Sequence, residues 1–198
     1  MGHPRRFTPA QTTGPPQHIQ VRSNGRPRCN PAWPDCLTPR FNKPYWAVPE
    51  VVLMAHVLCG VACLLAALWV FVDVLNFSAA NQGRIRKLSW AAAVSMWLAF
   101  LIGGYWYVFF YQADRAVILK GPWPFAHSLF METKEHLVIL LLMLATYLPI
   151  AAAGHLSASQ DARRVVLWAA GLVALLALMI EGEGATIAMG VKVGLLAR

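Results

Sequence analysis

The chain has 198 residues, 58% of them hydrophobic and only 13% charged, with a mean hydropathy of +0.49. Soluble domains carry about 25% charged residues, and a small fold lacks the interior to hide this much apolar surface. Collagen, a disordered chain and a disulfide-rich mini-protein are excluded by aperiodic glycine, high apolar content and only four cysteines. An integral membrane protein is expected.

Residues 1–47 form a basic, proline-rich tail. Seven of the seventeen basic residues (Arg5, Arg6, Arg22, Arg26, Arg28, Arg40, Lys43) lie there, opposed only by Asp35, and ten of the thirteen prolines precede residue 50. Such a segment buries too little apolar area to offset its ordering entropy, so an extended or disordered tail is expected. Its natural contacts are anionic lipid headgroups or an acidic protein surface. Nucleic acid is not an expected partner, because no folded basic module is present. Residues 1–20 have no apolar h-region, so the first hydrophobic stretch is expected to belong to the mature protein. Cys29 and Cys36, in RCNPAWPDC, match neither zinc nor haem c spacing. Outside the cytoplasm they are expected to pair; inside it, to stay reduced. Trp33 between them makes this segment a docking candidate.

Residues 48–198 read as four spans, each long enough for the roughly 30 Å hydrocarbon core. The first runs over 51–72 and the second over 88–113, both uncharged. The third runs over 136–160, with Pro149 expected to kink or end it. The fourth runs from Arg164 to Val191 and is interrupted by Glu181 and Glu183, where Gly182 and Gly184 suggest a local break. Long apolar runs in lipid mean helices, since lone strands leave backbone groups unpaired. The expected fold is all-α, an integral membrane four-helix up-down bundle behind the tail. Twelve Lys and Arg fall on the N-terminal side of the membrane and five on the other. This favours a cytoplasmic N-terminus, although counting only residues abutting the spans nearly erases the difference. A bacterial inner membrane is the expected location.

Ionisable residues inside a bilayer are costly and point to function. His56 in span one, His127, Glu132, Glu135 and His136 at the start of span three, and Glu181 and Glu183 in span four all fall toward one face. Glu132 and His136 are four residues apart and share a helix face. His56, Cys59, Gly60 and Cys63 form one stripe on span one. Glu181 and Glu183 are about 200° apart, so only one is expected to point squarely inward in an unbroken helix. Structural readings compete throughout: Gly60, Gly103 and Gly104 suit close helix approach, and the Tyr and Trp residues of span two suit an interfacial belt.

Two histidines on spans one and three suit haem b, with Gly60, Gly103 and Gly104 making room for the macrocycle. Copper or another first-row metal is the rival, held by His56, His136 and a carboxylate, Glu132 or Glu181. The arrangement of His56, the basic loop Arg84–Lys87, Gly103, Gly104 and His136 resembles small four-helix bacterial membrane proteins. These include copper-resistance-protein-D-like families and haem-b membrane cytochromes. The resemblance covers spans one to three and implies a redox or metal-linked membrane subunit, serving electron transfer beside other subunits or a redox partner. Two alternatives stand beside it: a cofactor-free accessory subunit, and a small proton or ion pathway through Glu181, Glu132 and His136.

Overall fold

The computed structural model describes residues 47–197, which are helical apart from short turns. Helix α1 spans Ala47–Leu75, α2 Gln82–Phe109, α3 Tyr111–Lys120, α4 Glu132–Ala152 and α5 Gln160–Leu196. A π-helical turn, Ala126–Met131, leads directly into α4. Four of these segments are long and apolar enough to cross a membrane: α1, α2, the π-turn with α4, and α5. Cys29, Trp33, Cys36 and the rest of the tail lie outside the described residues.

Local chemistry accounts for the helix ends. Pro49 and Glu50 occupy the first turn of α1, where proline needs no intrahelical N–H and an acid complements the dipole. Ser159 caps α5, its Oγ accepting the Ala162 N–H at 3.2 Å. Pro149 lies inside the last turn of α4, which ends three residues later at Ala152. Arg86 of α2 then satisfies the C-terminal carbonyls of that helix, donating to Ala152, Ala153 and Gly154.

Three segment boundaries differ from expectation. The second span stops at Phe109 rather than running through Ala113, and Phe110, with φ −121°, turns the chain into the separate helix α3. From Asp114 onward the sequence is amphipathic, so only Tyr111 and Ile118 are buried, one stripe on a ten-residue helix. The third span begins ten residues earlier than expected, at Ala126. Finally, α5 runs unbroken through Gly182 and Gly184. Glycine in a helix costs about 1 kcal/mol relative to alanine, too little to interrupt a long apolar helix packed on its neighbours.

Helix α1 packs on α2 and α5, and α4 packs on the same two, so α1 and α4 lie diagonally across the bundle. Small residues such as Ala67, Ala92, Ala145, Ala170 and Ala177 line the contacts and let the backbones approach. Large apolar side chains cover the outer faces, including Leu58, Trp90, Met143 and Trp168. At one end of the bundle Asp73 is buried and accepts from Arg84 through both oxygens, at 2.6 and 2.7 Å. At the other end α3 and the π-turn rest on the C-terminal third of α5 around a second core of Tyr111, Ile118, Ala126, Met131 and Ile187.

Candidate functional site

Between these two ends ionisable side chains meet inside the bundle. A cavity of about 30 Å³ is lined by His56 of α1, Lys134 of α4 and Glu181 of α5, with Met96, Ala99 and Phe100 of α2 among its apolar walls. Three ionisable groups from three helices thus meet at one level.

Each of them is seated against a glycine on a neighbouring helix. A Cβ at Gly103 would lie 2.5 Å from His56 Nδ1 and 2.6 Å from Cε1. A Cβ at Gly60 would overlap Glu181 Oε1, and one at Gly184 would lie 3.1 Å from Lys134 Nζ. These glycines are notches that admit polar side chains between helices. Gly104, by contrast, has nothing within 4 Å of where its Cβ would be, so it makes room for no neighbour.

His56 Nδ1 lies 2.8 Å from the Ala99 carbonyl. A carbonyl only accepts, so Nδ1 carries the hydrogen, and in the neutral ring Nε2 is left as an acceptor. Lys134 forms no ion pair within 4 Å among the described residues, although Glu181 and Glu183 are the charges that bear on it. Glu183 is 8% exposed, and its Oε2 has no hydrogen-bond partner among the described residues. Of the two glutamates only Glu181 lines the cavity, while Glu183 is buried away from it. Helix α5 is flanked by α1 and by α4 with the π-turn, so side chains on opposite faces are both covered.

The expected pairing of His56 with His136 is not formed. His136 is exposed, and its Nδ1 donates to the Glu132 carbonyl of its own helix at 2.7 Å. Glu132 and Glu135 are exposed as well. The reason is angular: Lys134 lines the cavity, and residues two positions away lie about 200° around the helix. Among the described residues no three of His, Cys, Asp and Glu converge as a metal-ligand set. A cavity of about 30 Å³ accommodates a water molecule and not a haem macrocycle, so these residues in this arrangement do not fit that group.

His127 belongs to a separate cluster at the junction of α3 and the π-turn. Arg115 Nε donates to its Nε2 at 2.8 Å, which places the ring hydrogen on Nδ1, 2.9 Å from the Tyr111 hydroxyl oxygen. Burial pushes the Tyr111 hydroxyl up to about 12 and raises the Asp114 carboxyl from its ordinary value.

Sequence reasoning missed Lys134 and undervalued Glu183. The signal for Lys134 was present. Counting back in steps of three and four from the buried Leu148, Ala145 and Leu141 reaches Val138 and Lys134, both on the cavity wall.

No family model, curated protein or solved structure matches this chain.

Proposed function

We propose that this chain is a multi-pass integral membrane protein whose four long helices cross the bilayer in up-down alternation. Its function on this reading is proton relay through His56, Lys134 and Glu181. The observation that carries the reading is the convergence of these three groups on one water-sized cavity. Charged groups at such depth are costly and are retained for function, and a cavity with several polar partners favours an ordered water. His56 contributes an Nε2 acceptor, Lys134 an amino group and Glu181 a carboxylate that takes and returns a proton.

Toward the Asp73–Arg84 end the interior is closed by apolar side chains such as Val70, Leu148 and Val166. Passage is therefore slow and gated rather than through an open pore, which suits a subunit working beside others in a membrane complex. The test is potential-driven proton uptake into liposomes containing the purified protein. Wild-type vesicles are expected to acidify faster than empty ones, and Glu181→Gln to abolish the difference with the fold unchanged. Equal rates for wild-type and empty vesicles overturn the reading.

A second reading, copper or another first-row metal bound at His56, is favoured by the Nδ1 bond to Ala99, the kind of contact that orients ligating histidines. It requires the remaining ligands to come from outside the cluster. Metal analysis of the purified protein from copper-replete cells decides it: a metal-free product overturns it.

A further inference from the structure

The bundle is charged unevenly along its length. At the end formed by the α1–α2 and α4–α5 turns, five basic residues (Arg84, Arg86, Lys87, Arg163, Arg164) stand against two acids, Asp73 and Asp161, a net +3. The other described residues carry four basic groups against six acids, a net −2. Contacts join the basic end into one surface. Arg84 of α2 pairs with Asp73 of α1, and Arg86 donates to the last carbonyls of α4. The Arg163 guanidinium of α5 lies over the Phe77 ring of the α1–α2 turn, 5.1 Å from its centroid. Asp73 and Asp161 neutralise Arg84 and Arg164, so the surplus rests on Arg86, Lys87 and Arg163. None of these three has a carboxylate partner among the described residues.

One turn inward stand three exposed tryptophans on three helices. Trp69 lies four residues before Asp73, Trp90 three after Lys87 and Trp168 four after Arg164. Cations outside and indoles one helical turn inside match the headgroup level of a bilayer. Trp69 also lines a shallow groove of about 350 Å³ with Leu65, Leu68 and Val72 on the outer face of α1. Five residues past Val72 the chain reaches Phe77, under Arg163. We propose that this end of the bundle binds anionic phospholipid, with headgroup phosphates on Lys87 and Arg163 and an acyl chain in the groove beside Trp69. This rests on the membrane-spanning reading above. A zwitterionic headgroup brings its own cation and leaves the +3 surplus unmatched, whereas an anionic one neutralises it. Free phosphate has no use for the indoles or the groove.

Tryptophan fluorescence of the reconstituted full chain tests the proposal, because bromine on an acyl chain quenches the indoles it touches. The vesicles are phosphatidylcholine with a minor fraction of either brominated phosphatidylglycerol or brominated phosphatidylcholine. The phosphatidylglycerol is expected to quench more strongly, and high salt to shrink the excess. Lys87→Gln combined with Arg163→Gln is expected to remove most of it, since each cation at an anionic lipid surface is worth about fivefold in local preference. Arg163→Lys keeps the charge and is expected to keep the excess, which separates charge from packing on Phe77. Lys120→Gln, at the opposite end, is expected to leave it unchanged. Equal quenching by the two lipids overturns the proposal and leaves the membrane reading standing. An excess that survives the double variant does the same, since the lipid is then held elsewhere. Absence of quenching by either lipid removes the membrane reading, and the proposal with it.

Discussion

Gly103 of α2 lies against the imidazole of His56 on α1, closely enough that a single added carbon would sit 2.5 Å from Nδ1. The same ring is tied to the Ala99 carbonyl one turn earlier on α2. Ring and notch fit together, and the ring cannot swing aside without losing its hydrogen bond. Gly103→Ala is therefore expected to destabilise the protein by about 1–3 kcal/mol, the usual cost of overpacking. Gly104→Ala, one residue on and in open space, is expected to be neutral or slightly stabilising. Thermal unfolding of both variants in mild detergent checks the pair; equal melting temperatures contradict the packing argument.

Gly60→Ala separates site from fold. The added methyl meets the free end of the Glu181 side chain, which rotates away at little cost because the chain is flexible. The expected outcome is a melting temperature near wild-type with proton uptake reduced toward that of Glu181→Gln. A variant with full uptake shows that the carboxylate position does not matter.

Helix α3 is bedded on α5 through close backbone approach as well as through its side chains. A Cβ at Gly194 would lie 2.9 Å from the Val117 carbonyl oxygen, and one at Gly121 would lie 2.9 Å from Gly194 Cα. Backbone has no rotamer to escape into. Gly194→Ala is expected to lift α3 away while the four long helices stay packed, and hydrogen exchange should rise across 111–120 and not across α1. Protection unchanged in α3 refutes this.

Burial gives Tyr111 and Asp114 opposite consequences at neutral pH. The Tyr111 hydroxyl ionises near 10.0 when unfolded and at about 12 when folded. Its contribution to stability is full below pH 10 and is lost as pH rises toward 12. In Tyr111→Phe, thermal unfolding is expected to show a shallower loss between those values. The Asp114 carboxyl is also raised, so its favourable contribution is full in acid and is lost as pH rises through its folded pKa. Asp114→Asn is accordingly expected to raise the melting temperature at pH 7 and have little effect below pH 4. A lower melting temperature at pH 7 contradicts that sign.

The long helices were legible because apolar length is a strong signal, and His56 and Glu181 stood out as ionisable residues inside it. The partner on α4 was not. Glu132 and His136 share one face of that helix at four-residue spacing, and Lys134 sits on the other. Nothing local to the METKEH segment says which face turns inward. That is decided by the apolar rows further along, where Leu141, Ala145 and Leu148 are buried and carry the register back to Lys134. The break expected at Gly182 and Gly184 failed for a related reason. Local propensity argued for irregularity, but contacts with α1, α4, α3 and the π-turn hold α5 straight through it. The separate helix α3 was hidden by the aromatic run before it, which reads as continuous span until a charged residue appears at Asp114.

The position of the cavity along α5 has an electrical consequence. Glu181 lies about 25 Å from Arg164 at 1.5 Å per residue, within a hydrocarbon layer about 30 Å thick. On the proton-relay reading, and with the hydrocarbon layer beginning at Arg164, a proton arriving from the nearer surface would cross only about one-sixth of the voltage drop. One continuing to the other surface would cross the remainder, worth about 2 kcal/mol per 100 mV. Filling the site would then respond little to membrane potential, whereas emptying it across the apolar half would be driven or opposed by that potential. An off-centre cluster would make the two proton steps unequal in their voltage dependence.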